Sequence, residues 1–239
     1  MRLVATDVRK RFGQLAALDG VSLAVDDAQI VGIAGPNGAG KSTLFDVISG
    51  HAPADDGTVQ LNGQDVTRLP AYRRARLGLG RTFQTPIVPN QLTVGEVLTA
   101  AQEAWPAKVT VVELNGVRDL LGLDIDKSRV AGFLGTLDRR KLLLACLLLR
   151  RPQLLLLDEP CSGLLADEIQ AIDAIIRRIR DETRVAIVVV EHRLELLTAI
   201  SDRVIVMDQG RVIVEGSAAE AFADPAVQRA YFAIPPTQT

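Results

Sequence analysis

The chain has 239 residues, of which 48% are hydrophobic and 23% charged, a balance typical of a globular protein with a sizeable core. Aromatic residues make up only 4%, so the core must be aliphatic, and a net charge of −2 with no dominant basic stripe argues against nucleic-acid binding. The two cysteines, Cys146 and Cys161, lack C-x-x-C spacing, which predicts reduced thiols and neither a disulfide framework nor a zinc site. The first residues lack the apolar core of a signal peptide, and no apolar run approaches the ~20 residues of a bilayer span, so we expect a soluble, cytoplasmic chain.

The chain begins with two short predicted strands, 3–8 and 21–25, on either side of a predicted turn at 10–13. Phe12, in that turn, has two interpretations. Its position alone favours packing in a small core, whereas its π face would also suit stacking on an adenine ring. The apolar run 30–34 then predicts a buried parallel strand.

Between that strand and a predicted helix, 42–48, lies a phosphate-binding motif. It fits G-x-x-x-x-G-K-[ST] and comprises Gly35, Pro36, Asn37, Gly38, Ala39, Gly40, Lys41, Ser42 and Thr43. The glycines let consecutive backbone N–H groups point at an anion, and the helix N-terminus adds its positive end. Lys41 would reach the β- and γ-phosphates of a nucleotide, and the Ser42 hydroxyl would hold Mg²⁺. A chance glycine-rich turn is the alternative, and the strand–loop–helix context argues against it.

The middle of the chain changes from mixed structure to helices. An alternating run at 58–63 predicts a half-exposed strand, a helix follows at 71–77, and a strand-like segment, 80–83, leads to Gln84. Residues 86–135 show no strand pattern, and we expect amphipathic helices near 94–104 and 112–121, which together form a helical insertion. Arginine-rich stretches at 73–76 and 139–141 are interpreted as solvated helix faces.

The remaining residues return to an alternating α/β pattern. The predicted helices cover 138–150, 166–180 and a C-terminal pair joined near 223–225; the predicted strands cover 153–157, 185–190, 203–207 and 211–214. Four consecutive leucines, 154–157, have no period of two, so both faces of that strand must be covered, as in a parallel sheet.

Two of these buried strands end in residues that can move protons or bind metal. Asp158 and Glu159 follow the four leucines, and His192 follows the strand at 185–190. Ligands of open α/β sheets collect at the carboxyl ends of the strands. One acid that holds Mg²⁺ and a second that orients or deprotonates water is what phosphoanhydride hydrolysis needs. A helix-capping acid pair and a structural histidine are the alternatives.

These residues resemble the ATP-binding subunits of ABC transporters over the whole chain. GPNGAGKST resembles their Walker A motif, LLLLDEP their Walker B, Gln84 their Q-loop glutamine and His192 their H-loop histidine. The resemblance implies a P-loop NTPase fold of the ABC ATPase type: a mostly parallel core sheet with an N-terminal antiparallel β region. It implies one domain, 1–239, with a core at 1–85 and 136–239 and a shortened helical subdomain at 86–135.

The resemblance also assigns roles. It implies ATP and Mg²⁺ as cofactors, with catalysis by Glu159, His192 and Gln84 and metal binding by Ser42, Gln84 and Asp158. For Phe12 it favours the adenine-stacking interpretation over packing.

Three segments resemble the branched-chain amino acid type of importer subunit: NGQDVTRLP (62–70), GLGRTFQ (78–84) and DPAVQRAYF (224–232). Importers of urea, amides and aromatic acids share them. The resemblance implies a second ATPase subunit, two membrane permeases and a periplasmic or lipid-anchored substrate-binding protein as partners, with no nucleic acid. It places the chain at the cytoplasmic face of a bacterial plasma membrane.

The family's signature motif, LSGGQ, is degenerate in this chain. Its slot, 24 residues before Asp158, contains Leu134, Gly135, Thr136, Leu137 and Asp138. The serine hydroxyl and both glycines are absent, and Asp138 would place a negative charge near a γ-phosphate. Leu165 also stands where an Asp or Asn is usual.

In this family two subunits meet head to tail, and each ATP lies between one subunit's Walker motifs and the other's signature. We therefore expect an asymmetric pair with a different ATPase chain. A homodimer that tolerates drift in the slot is one alternative. A soluble ABC ATPase of ribosomes or DNA and a catalytically dead regulatory subunit are two others.

Overall fold

The computed structural model describes residues 1–105 and 108–232. The strands are β1 (Leu3–Phe12), β2 (Leu15–Val25), β3 (Ile30–Ala34), β4 (Asp56–Leu61), β5 (Gln64–Asp65), β6 (Leu79–Arg81), β7 (Leu154–Asp158), β8 (Ala186–Val190), β9 (Arg203–Asp208) and β10 (Arg211–Gly216). The helices are α1 (Lys41–Ser49), α2 (Ala71–Arg76), α3 (Val94–Glu103), α4 (Val111–Leu121), α5 (Thr136–Leu148), α6 (Ala166–Thr183), α7 (Leu194–Ile200), α8 (Ala218–Ala223) and α9 (Pro225–Phe232), with a 3-10 turn at Ala131–Phe133. In these described ranges no helix is both long and apolar enough to cross a bilayer.

The strands form two sheets. A six-stranded sheet has the order β10-β9-β3-β8-β7-β6 and is parallel except for the β9–β10 hairpin. A four-stranded antiparallel sheet has the order β2-β1-β4-β5. The predicted α/β class, with a mostly parallel core and an N-terminal antiparallel region, is confirmed.

Continuous apolar runs occupy the centre of the parallel sheet because both of its faces are covered. Every residue of β3, β7 and β8 is buried. One hydrophobic core lies on the side of α1 and the antiparallel sheet, and includes Phe45, Ile33 and Leu156. The other lies on the side of the remaining helices and includes Leu142 and Ile176.

Some local predictions were wrong. The segment 10–13 is not a turn: β1 continues to Phe12, and the hairpin turns at Gly13 and Gln14, with Gly13 at φ 59°. The sequence pattern also missed β5 and α7, which are only 2 and 7 residues long. Residues 86–135 contain α3, α4 and the 3-10 turn, together with an isolated β-bridge between Thr93 and Val130.

The arginine-rich stretches are not simple solvated faces. Arg74, on α2, is only 2% exposed and donates to the carbonyl oxygens of Val47 and Ile48 at the end of α1. Arg140, on α5, is also buried and donates to the carbonyl oxygens of Glu159 and Ser162. A guanidinium has five N–H donors, so it can satisfy several carbonyls that helix ends and loops leave unpaired.

Candidate functional site

The predicted motifs converge on one cleft at the carboxyl ends of β3, β7 and β8. These strands are neighbours in the sheet, so the loops that follow them are neighbours too. The cleft has a volume of about 750 Å³. Its walls include Phe12, Leu15, Asn37, Gly38, Ala39, Gly40, Lys41, Ser42, Thr43, Gln84, Glu159 and His192. Gly35, Pro36 and Asp158 are not among the lining residues; Gly35 and Asp158 are buried, and Pro36 is half-buried.

The phosphate loop has the backbone that its glycines predict. Gly38 and Gly40 have φ of 81° and 101°, in the left-handed region that favours glycine. A Cβ at Gly40 would also collide with the carbonyl oxygen of Ala17, so only glycine fits there. Lys41 opens α1, and its ammonium group donates to the carbonyl oxygens of Gly35 and Pro36 at 2.7 and 2.9 Å.

The surroundings of Lys41 determine the direction and the pKa of its ammonium group. Burial lowers the pKa of its ammonium group, while the negative charges of Glu159 and Asp158 act in the opposite direction. The two loop carbonyls already point the ammonium into the turn, at the N-terminus of a nine-residue helix. This is an electropositive cradle of the size of a phosphate chain.

Glu159 connects the three loops of the cleft. One of its carboxylate oxygens accepts a hydrogen bond from the Gln84 amide at 2.7 Å, and the other lies 2.8 Å from Nε2 of His192. Its backbone is in the left-handed region, with φ 44°, and its N–H donates to the carbonyl of Val190 at 2.9 Å. The carboxylate is thereby aimed into the cleft between the Q-loop and H-loop positions.

Asp158 ends β7 and is buried. Burial raises the pKa of its carboxyl group, and the nearby guanidinium of Arg81 opposes that rise. The separation between Oδ2 of Asp158 and Nη2 of Arg81 is 3.5 Å, within the range of an ion pair, and both side chains are nearly buried. A buried carboxylate beside a phosphate cradle and the Ser42 hydroxyl provides the hard oxygen donors that suit Mg²⁺. In the described residues no group of three His, Cys, Asp or Glu is placed to hold a metal ion.

Phe12 lies on the cleft wall. Its side chain is 55% exposed, which does not fit the packing interpretation, and Nζ of Lys10 lies 5.5 Å from the ring centroid. An exposed ring at one end of a phosphate cradle leaves a face free for a base to stack on.

The signature slot lies elsewhere. None of its five residues, all of them described, lines the cleft. Gly135 precedes the first turn of α5 with extended backbone, and its Cα faces open space. Leu134 is buried, whereas Gly135 and Thr136 are exposed. The slot therefore faces solvent on a surface apart from this chain's own phosphate loop.

Three residues that contact the buried side of the site were not predicted from the sequence. Arg81 contacts Asp158, Arg140 donates to the backbone carbonyl of Glu159, and the Tyr231 hydroxyl accepts a hydrogen bond from the N–H of Gly35. The positions of Arg81, three residues before Gln84, and of Arg140, just after the slot, were the available signals. Tyr231 is almost 200 residues from the loop that it contacts, so local sequence offered none.

Comparison with known proteins bears on the same residues. A family model described as ABC transporter matches residues 18–162, which is more than half of the chain. The matched range includes the phosphate loop, Gln84, Asp158 and Glu159. The chain belongs to the ABC transporter family. It is an ABC ATPase, and the predicted family is confirmed.

Relatives with similar sequence identity to this chain are named for the transport of different solutes. The branched-chain amino acid transport ATP-binding protein BraF of Pseudomonas aeruginosa is 30% identical over 258 residues, which cover 96% of each chain. The sulfate/thiosulfate import ATP-binding protein CysA of Mycobacterium bovis is 34% identical over 226 residues, covering 94% of this chain and 64% of its own. Among solved structures, an ATP-binding cassette of an ABC transporter in its ADP conformation superposes with a TM-score of 0.88 at 28% identity, covering 98% and 99% of the two chains.

Proposed function

We propose that this ABC domain is the ATP-hydrolysing subunit of an importer for branched-chain or other hydrophobic amino acids, or for related small solutes. The observation that supports hydrolysis is the position of Glu159 in the cleft, with Gln84 on one carboxylate oxygen and His192 on the other. The choice of solute rests on the three segments shared with branched-chain amino acid importers and on the full-length similarity to BraF. The similarity to a sulfate importer keeps other small solutes as the alternative.

In the proposed reaction the phosphate loop, 35–43, binds the triphosphate and Phe12 stacks on the adenine. Lys41 would turn its ammonium from the loop carbonyls toward the β- and γ-phosphates. Ser42, Gln84 and Asp158 would hold Mg²⁺, which would supply positive charge to the phosphate oxygens. Gln84 can do so through its amide oxygen while its NH₂ group donates to Glu159.

Glu159 would accept the proton of the attacking water. In this structure each of its oxygens makes one such contact, which leaves acceptor capacity on both for a water. His192 would hold the γ-phosphate side of the cleft, and its bond to Glu159 fixes the direction of the carboxylate. The buried strands β7 and β8 hold these two side chains within hydrogen-bond distance before any substrate binds.

We further propose that the domain pairs with a different ATPase chain that has a normal signature. This chain's cleft and the partner's signature would form a hydrolytic site. The degenerate slot, 134–138, would face the partner's ATP and form a weak one, because Asp138 repels a phosphate and no glycine remains at 136 and 137. Identifying every ATPase chain in the purified complex separates this arrangement from a homodimer.

The membrane partners would be two permeases, with a periplasmic or lipid-anchored binding protein outside and this domain at the cytoplasmic face of a bacterial plasma membrane. A groove of about 330 Å³ next to Gln84 supports a docking site for a permease segment. It is mostly apolar and is lined in part by Phe83, Ile87 and Leu147. In this proposal the helices of 86–135 form a subdomain that moves with the permease.

The test is Glu159→Gln in the assembled complex. ATP binding should persist, while ATPase activity should fall by about 10²–10⁴-fold, the usual contribution of a positioned general base. Glu195→Gln, an exposed acid on α7 outside the cleft, is the matched control and should leave activity unchanged. ATPase activity that survives Glu159→Gln nearly intact would place the active site elsewhere.

A further inference from the structure

Arg81 joins three elements behind the cleft. Its side chain is only 6% exposed. One guanidinium nitrogen, Nη1, donates to Oδ1 of Asp46 and to Oγ of Ser49, both on α1 and both at 2.7 Å. The other, Nη2, lies 3.5 Å from Oδ2 of Asp158. The guanidinium is thus fixed on the phosphate-loop helix and turned toward the end of β7.

Aromatic rings hold the same guanidinium. Its carbon atom lies 4.8 Å from the ring centroid of Phe83 and 5.8 Å from that of Phe45. Phe45 is fully buried, whereas Phe83 is 50% exposed and lines the apolar groove beside Gln84. His51 packs its edge against Phe83 with the centroids 5.5 Å apart, and its Nδ1 lies 2.8 Å from Oγ of Ser49. Phe83 therefore covers the outer side of Arg81 and links it to the groove surface.

We propose that Arg81 is a positioning residue that holds Asp158 in its metal-binding orientation, and that Phe83 fixes Arg81 from the groove side. The inference rests on the proposed role of Asp158 as a Mg²⁺ ligand. Arginine suits this task because its planar fork is held at one end by Asp46 and Ser49 while the other end faces the carboxylate. A lysine would keep the charge but could not make both contacts in one plane.

The apolar groove beside Gln84 borders on the contact between Arg81 and Phe83. Phe83 and Arg81 both line the groove, so a segment bound there would lie close to both side chains. The path from the groove to Asp158 would then run through Arg81, with Phe83 packed against it, and is separate from Gln84.

The test compares two affinities of the purified chain by equilibrium titration: that for ATP with Mg²⁺ and that for ATP with EDTA. In the wild type Mg²⁺ should tighten binding, and the ratio of the two affinities measures the metal's contribution. Arg81→Lys should reduce this ratio by about tenfold, the usual effect of losing a group that orients a metal ligand. Phe83→Leu should reduce the ratio less than Arg81→Lys does, and Phe83→Tyr, which keeps an aromatic ring, should leave it at the wild-type value. The double variant Arg81→Lys with Phe83→Leu should reduce the ratio no further than Arg81→Lys alone.

Arg177→Lys is the matched control, since Arg177 makes a similar fork with Asp173 on α6 and neither residue lines the cleft. A merely structural role for Arg81 would lower thermal stability and both affinities together and leave the ratio unchanged. An unchanged ratio in Arg81→Lys, when Asp158→Asn abolishes the Mg²⁺ effect, overturns the inference. If Asp158→Asn itself has no effect, the proposed metal role of Asp158 is wrong instead. If Arg81→Lys does not fold, Phe83→Leu decides alone, and an unchanged ratio there rejects the proposal.

Discussion

Arg74 should be one of the most costly surface-helix positions to change, although its neighbours Arg73 and Arg76 are exposed. Its guanidinium donates to four backbone carbonyls: those of Val47 and Ile48 at 2.7 and 2.8 Å, and those of Leu69 and Thr67 at 2.8 and 2.9 Å. The first two belong to the last turn of α1, where carbonyls lack the usual i+4 partner, although the Val47 oxygen also accepts from the N–H of Gly50 at 3.2 Å. Arg74→Met keeps much of the volume and removes all four donors.

The expected loss follows from these contacts. A hydrogen bond with a charged donor contributes about 1.5–3 kcal/mol net, but four bonds to one buried cation share a single desolvation cost and do not add. We therefore expect the free energy of unfolding to fall by about 3–5 kcal/mol, because the carbonyls that lose their donor are left unsatisfied at a cost of about 1–3 kcal/mol each and these costs do not fully add. With a urea m-value near the upper end of about 1–3 kcal/mol/M, the midpoint should fall by about 1–2 M.

Urea denaturation followed by circular dichroism measures this shift, and Arg76→Met is the control. Arg76 is exposed on the same helix and lies over the ring of Tyr72, so its loss should change the stability by less than about 0.5 kcal/mol. Arg74→Lys should fall between the two, because a lysine keeps the charge with fewer donors. Equal midpoints for Arg74→Met and Arg76→Met would refute the reasoning.

Three further predictions concern the cleft and the slot. Phe12→Ala should weaken ATP binding by about tenfold or more through lost base stacking and leave tripolyphosphate binding unchanged; equal losses in parallel titrations would contradict the adenine role. Asp158→Asn should stabilise the nucleotide-free chain at neutral pH. Because burial raises the folded-state pKa of Asp158, the folded chain binds more protons between the unfolded and folded pKa values, so stability falls as pH rises through that window. Thermal melts should show the variant's advantage at pH 7 and its disappearance near pH 4, whereas a constant difference would reject this cause. Restoring the slot with Gly135→Ser, Thr136→Gly, Leu137→Gly and Asp138→Gln should raise the ATPase rate of the complex, and an unchanged rate would count against a weak second site.

The parts of the site that the sequence predicted are those whose signals are local. The phosphate loop is a contiguous motif between a buried strand and a helix, and Asp158, Glu159 and His192 each follow a run of buried aliphatic residues. Carboxyl ends of parallel strands meet at one edge, so their convergence could be expected. That Glu159 would bridge Gln84 and His192 could not, because the contact depends on the paths of three separate loops.

The buried arginines show why the rest was out of reach. Arg74 and Arg76 are two residues apart on one helix, yet one caps α1 and the other faces solvent. Composition does not distinguish them, because the deciding factor is a set of carbonyl acceptors that belong to Val47, Ile48, Thr67 and Leu69. Arg140 is the same case, with its partners at 159 and 162. A charged side chain is buried only when tertiary structure supplies its acceptors, and a single sequence does not show them.

The degenerate slot lacks the serine and both glycines of the family signature, but its backbone remains regular. Gly135 has ordinary extended backbone, α5 begins at Thr136, and Leu134 is packed in the core. Asp138 lies in the first turn of α5, where a negative charge stabilises a helix N-terminus by about 0.3–1 kcal/mol. The same charge opposes the approach of a γ-phosphate to that N-terminus. A slot that drifted without constraint would be expected to disturb the start of the helix. Asp138 supports the helix and would disfavour a nucleotide, which is the combination expected of the proposed asymmetric pair of ATPase subunits.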